Sequence, residues 1–482
     1  MTGKPEFDAI IVGSGPNGLA AAITLANAGL SVKIIEAYPT IGGGCRSGEI
    51  TLPGFTHDIC AAVHPLGISS PFFRRIQLDR LGVRWVQPPI PLSHPLDDGT
   101  AIAVYRSVSD TAARLGRDGP AYRRLMEPLV RNYQSILSDY LGPLRVPERP
   151  VQFAGFGLLA LQPAALMARA FFRDERARAV ISGMAAHSIL PLSRAGTAAF
   201  GLMLGMLAHA VGWPVPAQGS QVIVNALADC VRSLGGVIQT GRRVTNIADV
   251  LDQGRMVLFD TSPREVLAAA QSVLPEDYQA QLARYRYGPG VFKLDLALDG
   301  PIPWTAPECH QAGTVHLGGT MEEIVASEEV VWRGEHAERP FVLVAQPSRF
   351  DPSRAPEGKH TVWAYCHVPN GSTRDMSDVI EAQIERFAPG FRQRIIARHK
   401  RTAMELEAYN PNYVGGDINS GAQDLGQLFT RPAVRLDPYS TPDKRIFICS
   451  SAAPPGGGVH GMCGYHGARS ALRRFFHIAS EW

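Results

Sequence analysis

Residues 8–12 (DAIIV) form a short, unbroken apolar run rich in β-branched side chains, which predicts a buried strand. The run leads into Gly13-Ser14-Gly15-Pro16-Asn17-Gly18 and then LAAAITLANAG, a strong helix former. A second apolar run at 31–35 predicts another strand and ends on Glu36. The same grammar returns at the far end. Residues 445–450 read as a strand, a glycine-rich turn follows, and a helix is expected over roughly 465–476. In the middle, 222–233 reads as a helix, followed by strand-like runs at 237–238 and 244–247. Half-alternating, β-rich segments at 290–298, 340–344 and 360–365 predict the strands of a second sheet.

Two stretches are apolar without alternation. Residues 150–168 and 195–228 contain no Asp, Glu, Lys or Arg, and each reaches the ~18 residues a membrane span needs. Gln162-Pro163 interrupts the first and Trp213-Pro214 stops the second. They are expected to be buried helices lining an apolar pocket. A surface-dipping helix with peripheral membrane contact is the second reading, and a true span the last.

Strand, GxGxxG turn, helix and an acid at the next strand end have one physical purpose. Gly13 permits the tight turn, Gly15 lets backbone approach a pyrophosphate, and Gly18 lets helix pack on strand. The helix opens on Pro16, and its N-terminus from Asn17 onward offers free amides and partial positive charge to phosphates. Glu36, 23 residues after Gly13, is placed to accept ribose hydroxyls, with Ala37 beside it. A dinucleotide site is therefore predicted.

Composition sharpens this reading. At 482 residues, and roughly 150 per domain, two or three domains are expected. Apolar residues at 45% allow a large core. The net charge is only +3, and the 47 basic residues (41 Arg, 6 Lys) are scattered, which argues against nucleic-acid binding. Seven cysteines without a CxxC pair fit a reducing compartment, not a disulfide framework or a zinc site. The opening MTGKPEFDAIIVGSG lacks the pattern of a secretory signal, so a cytoplasmic location, with membrane association as the variant, is expected. No metal site is visible. No second GxGxxG–acid unit occurs, so a bound NAD(P)H beside the first nucleotide is not expected.

After Glu36 the chain continues to Ile41-Gly42-Gly43-Gly44-Cys45-Arg46-Ser47. Here it resembles the flavoprotein family of phytoene (carotenoid) desaturases and, more distantly, amine oxidases. That family has a glycine doublet, Arg and Ser/Thr just after the ribose acid; Gly43, Gly44, Arg46 and Ser47 match. The segment Pro455-Gly456-Gly457-Gly458-Val459-His460-Gly461-Met462 looks like the family's closing motif, which passes beside the flavin ring. The resemblance implies that Gly458 and the backbone groups of Gly461 and Met462 face the flavin, and that Val244 contacts the adenine. It also implies FAD and a fold of the α/β class: a Rossmann-like FAD domain of the second glutathione-reductase subgroup with an inserted α+β substrate domain. The FAD domain would comprise 1–75, 215–275 and 405–482, and the substrate domain 76–214 and 276–404.

Such a chain is expected to pass a hydride from a lipophilic substrate to flavin N5, with oxygen or a quinone as electron acceptor. The oligomeric state stays open. Lys293, in an apolar strand pattern, is a candidate for holding a water near N5, or else pairs with Asp295. His460 and Tyr465 flank the expected ring site as candidates for proton transfer or substrate orientation. His57, Asp58 and His64 follow the first motif with a weaker claim, and Cys463 reads as buried. Three rivals remain: an amine oxidase with Trp363 and Tyr365 as its aromatic cage, a non-redox isomerase or hydratase, and a non-catalytic FAD-containing adaptor.

Overall fold

The computed structural model describes residues 5–147 and 149–479. The strand β1 (Phe7–Val12), helix α1 (Pro16–Asn27) and strand β2 (Val32–Ile35) open the chain. Strands β3 (Ile90–Pro95) and β4 (Ala101–Val104) begin a second sheet. A helical region follows, with α2 (Pro150–Ala160), α3 (Ala164–Phe171), α4 (Glu175–Ala185) and α5 (Ala198–Ala210). Helix α6 (Gln221–Ser233) and strands β5 (Val237–Gln239) and β6 (Gly254–Phe259) return to the first sheet. The second sheet is completed by β7 (Gly290–Leu298), β8 (Ala312–Leu317), β9 (Val342–Ala345), β10 (His360–Val368) and β11 (Ile395–Arg401). Strand β12 (Ile446–Ile448) and helix α7 (Met462–Ala471) close the chain.

The first sheet runs β12-β6-β1-β2-β5 and is wholly parallel. Both faces of β1 are buried: Ala9 and Ile11 enter one core, Ile10 and Val12 another. That explains why its sequence is continuously apolar and not alternating. Helix α1 packs against α6 and α7. The contact with α7 is close enough that a Cβ on Gly464 would lie 1.8 Å from the Asn17 carbonyl. The two chain ends are thereby locked together.

The second sheet runs β11-β7-β10-β9-β8-β3-β4, antiparallel except for the β8–β3 pair. Its faces differ. Val315, Leu317, Val344, Ala364 and Leu294 fill a separate core on one side. The alternate residues Leu343, Trp363 and Tyr365 face the helices and the first domain. Period-two alternation thus sorts this sheet into a structural face and a cavity face.

Three expectations are corrected. Residues 242–246 have no regular structure, so the strand expected at 244–247 is a loop. The last helix begins at Met462, ahead of Tyr465, and passes at Leu472–Phe476 into a wider π turn. The stretch 150–168 is an elbow: α2 and α3 meet at a bend of 101°, and no single described helix is long and apolar enough to cross a membrane. Helix α5, in the second stretch, is mostly buried.

Candidate functional site

A cavity of about 560 Å³ starts at the glycine turn after β1, passes the closing segment before α7, and ends on the second sheet. Gly13, Gly15, Pro16, Asn17, Glu36, Ala37, Gly43, Gly44, Arg46 and Val244 line its first part. These are ten of the positions expected to hold the nucleotide. A Cβ on Gly43 would stand 3.1 Å from the Gly15 Cα, and one on Gly44 2.7 Å from the Tyr413 hydroxyl, so two glycine loops are pressed together over the groove.

Glu36 is more fully engaged than its sequence position implies. Its Oε2 accepts from the Ser14 amide (2.9 Å) and hydroxyl (2.6 Å); its Oε1 accepts from the Tyr38 amide (2.8 Å) and Arg46 (3.2 Å). The Arg46 guanidinium lies 4.2 Å from the Tyr38 ring centroid and 5.7 Å from that of Tyr409. All four lone-pair positions of the carboxylate are therefore taken within the chain. A ribose diol must displace one of these donors.

Asp260, at the end of β6, has no counterpart in the sequence reading. Its Oδ2 accepts from the Gly18 amide at 2.8 Å, and a Cβ on Gly15 would lie 2.8 Å from it. The first-turn glycines thus accommodate this side chain as well as an incoming phosphate. Burial pushes the Asp260 carboxyl up to about 8, with Glu36 adding to the rise and the Gly18 and Gly15 amides opposing it. At neutral pH it is a neutral acid beside a helix N-terminus, compatible with an anionic neighbour.

A bound dinucleotide is tested by the polar atoms this end leaves open. Asn17 Oδ1 and Thr261 Oγ1 are buried without a partner, and both residues line the cavity. Glycine loops, a guanidinium and unpartnered polar atoms along one groove fit the adenosine diphosphate of FAD.

The middle of the cavity is bounded by residues 60–67, 418–420, 450–451 and 458–459. One buried arginine, Arg431, ties two of these segments together, and a second, Arg354, fixes the chain next to them. Arg431 donates to the carbonyls of Ser420, Ser451 and Ala452, to Gln423 and to the Tyr285 hydroxyl. Arg354 pairs with Asp58 at 2.9 Å and Asp351 at 3.0 Å and donates to the Pro216 carbonyl. Burial alone would raise the Asp58 carboxyl, but Arg354 and bonds from Ser220 and Ser47 hold it below its ordinary range. Removing Arg354 would strand two buried carboxylates, a loss of about 3–5 kcal/mol.

The far end is lined by His187, Leu204, Trp213, Thr314, Leu343, Trp363 and Tyr365. No Asp, Glu, Lys or Arg side chain joins them among the described residues. Trp363 and Tyr365 stand edge-to-face, with centroids 5.0 Å apart at 89°, and Trp363 Nε1 donates to the Cys60 carbonyl. The rings touch each other, leaving no slot between them.

Several expected residues lie outside the cavity lining. The Ser47 hydroxyl donates to Asp58 at 2.6 Å and fixes the loop instead of facing a phosphate. The Met462 amide donates to His460 Nδ1 at 3.0 Å, so it is not free for a flavin, and neither Gly461 nor Met462 reaches the cavity; Gly458 and Val459 do. His460 is fully buried, and burial pulls it down to about 4, so its ring is uncharged at neutral pH. The Tyr465 hydroxyl is held by Arg75 (3.1 Å) and Arg469 (3.3 Å). Lys293 is paired with Asp295 behind Trp363, its Nζ 5.1 Å from that ring centroid. Burial lowers the ammonium and raises the Asp295 carboxyl to about 6, while His57, 3.8 Å from Asp295, falls to about 3. Of the weaker candidates, His64 lines the cavity and bonds the Ser220 hydroxyl at 2.8 Å; His57 does not reach it. Cys463 is buried off the cavity, and all seven cysteines are free thiols.

Sequence reading missed Asp260, His187 and Thr314. None sits in a motif; the one signal in the sequence is the spacing of two that puts Thr314 and His316 on one face of β8.

Residues 11–76 match the family described as NAD(P)-binding Rossmann-like domain. Along nearly its full length the chain is similar to pyridine nucleotide-disulfide oxidoreductase domain-containing protein 2 of Rattus norvegicus, with 26% identity over 98% of this chain and 94% of the relative. It is 27% identical to the phytoene dehydrogenase of Streptomyces griseus over 76% of this chain and 74% of that one. Among solved structures, a putrescine oxidase shares the fold with a TM-score of 0.62 at 17% identity, covering 98% and 99% of the two chains. The resemblance read from the glycine motifs is borne out. The chain has the fold of the FAD-dependent oxidoreductase superfamily that includes phytoene dehydrogenase and the amine oxidases.

Proposed function

We propose that this FAD-dependent oxidoreductase dehydrogenates a neutral, lipophilic substrate, with oxygen or a quinone taking the electrons. One observation carries the reading: a single cavity joins the dinucleotide groove to an aromatic and aliphatic end without charged side chains. Bound in the groove, FAD supplies a hydride acceptor. The chain's own residues do the rest. Glu36, Arg46 and the glycine loops hold the dinucleotide; Leu204, Trp213, Leu343, Trp363 and Tyr365 orient the substrate by contact and exclude water.

The same lining speaks against an amine oxidase. An ammonium substrate would need a carboxylate or an open aromatic slot, and the far end offers neither. Anaerobic mixing of the FAD-loaded protein with lipophilic alcohols, ketones and polyenes tests the proposal. Bleaching of the flavin absorbance by a member of this set is the expected result. No bleaching across it, with flavin still reducible by dithionite, would favour the isomerase or adaptor readings and overturn this one.

Peripheral membrane contact belongs to the same proposal. Val151, Leu158, Leu161 and Leu166, on the α2–α3 elbow, are 87%, 69%, 49% and 56% exposed. Arg145, Arg149 and Arg169 stand beside them in the sequence. An apolar surface edged by arginines suits an anionic bilayer from which a lipophilic substrate is drawn.

A further inference from the structure

The far end of the cavity is uncharged but not wholly apolar. Thr314 lies on the cavity face of β8, between Gly313 and Val315, whose strand neighbours Val315 and Leu317 turn into the opposite core. Its residue is 2% exposed, it lines the cavity, and its hydroxyl is buried without a partner. A buried hydroxyl in an apolar site is costly to leave unbonded, so the position marks where a ligand atom belongs.

His187 lines the same end from the 3-10 turn Ala186–Ser188 that follows α4. The next residue, Ile189, holds the left-handed conformation at φ 53°, which a β-branched side chain rarely adopts. That backbone strain sits two residues from the histidine. His187 Nε2 lies 3.0 Å from His316 Nε2, and the pair is boxed in by Trp213 and Phe341. Burial pulls His187 down to about 3 and His316 well below its ordinary value, with His187 adding to the fall in His316. Both rings are therefore neutral, and one donates to the other. Nδ1 of His187 is left for a ligand, as a donor when His316 donates at Nε2 and as an acceptor when His316 accepts. An anchor that switches tautomer can hold either a hydroxyl or a carbonyl oxygen, and Thr314 can likewise donate or accept.

We propose that His187 and Thr314 form a polar anchor that hydrogen-bonds a hydroxyl or carbonyl oxygen on an otherwise apolar substrate, with His316 as the positioning residue. The proposal rests on the lipophilic-substrate reading above and narrows it. It excludes hydrocarbons without oxygen as preferred ligands. It also excludes carboxylates and ammonium ions, because no opposite charge lines this end.

The test uses three molecules of one shape: ethylbenzene, 1-phenylethanol and acetophenone. Each is titrated calorimetrically into FAD-loaded protein under anaerobic conditions, with 1-phenylethylammonium as the charged arm. The alcohol and the ketone are expected to bind about tenfold or more tightly than ethylbenzene, in line with one or two hydrogen bonds in an apolar site. The ammonium ion should bind most weakly. Thr314→Val, which keeps the shape, and His187→Gln should each bring the oxygenated ligands towards the ethylbenzene value while ethylbenzene binding stays within twofold. Unchanged flavin content and melting temperature show that each variant is folded. Equal binding of all three neutral ligands by the native protein, or a preference that survives both substitutions, overturns the anchor and leaves the lipophilic site standing. No binding by any of them removes the lipophilic site, and the anchor with it.

Discussion

Asp260 shows how one side chain makes the glycine turn sensitive to pH. Its carboxyl, raised to about 8 from an ordinary value near 4, is protonated in the folded protein over a range where it is ionised in the unfolded chain. The folded state then binds the extra proton, so stability from this group is full below pH 4 and is lost as pH rises towards 8. Asp260→Asn mimics the neutral acid, and its Oδ1 still accepts from the Gly18 amide. The variant should melt at nearly the same temperature as the native protein at pH 4.5, and several degrees higher at pH 8.5. A gap that stays constant between those values would show that Asp260 ionises normally. This residue was illegible in the sequence because its role comes from the parallel pairing of β6 with β1, 242 positions from Gly18. Glu36 and Arg46 were legible because their partners are local. The Lys293–Asp295 pair was legible as the alternative to a water-holding lysine, from their spacing of two along one strand, whereas His460 was misplaced because a loop pattern does not show which backbone amide takes its lone pair.

At the scale of elements, the strand–turn–helix units at the two chain ends were the readable part, since each carries its own periodicity and breaker residues. The loop at 242–246 and the early start of α7 were not, because both are set by packing. Gly464 against the Asn17 carbonyl fixes where α7 begins, and no local signal encodes that contact. The α2–α3 elbow is the element with an unmet face. Burying a Val or Leu side chain is worth roughly 1.5–3 kcal/mol, so two acidic replacements there should weaken bilayer binding by at least about tenfold. Native protein is expected to sediment with vesicles of phosphatidylcholine and phosphatidylglycerol. The Val151→Glu, Leu158→Glu double variant should stay in the supernatant with its flavin content intact. Native protein that ignores vesicles, or a variant that sediments equally, would rule out a membrane-facing elbow.

Across the whole molecule, two sheets with different logic meet at one cavity. The parallel sheet brings the turn after β1, the acid after β2 and the closing segment after β12 to one groove. The mixed sheet turns one face into a structural core and gives the other to the cavity. Arg354, reaching Asp58, Asp351 and Pro216, joins the two at their boundary. The central claim is that residues over 400 positions apart build a groove for FAD. Equilibrium titration of the protein with FAD, followed by the flavin's own fluorescence, tests it most directly. One FAD per chain should be taken up, and Glu36→Ala should weaken uptake by about ten- to a hundredfold, the effect of losing charge-assisted hydrogen bonds at the ribose end. A native protein that takes up no FAD, or a Glu36→Ala protein that binds it just as tightly, would contradict the account.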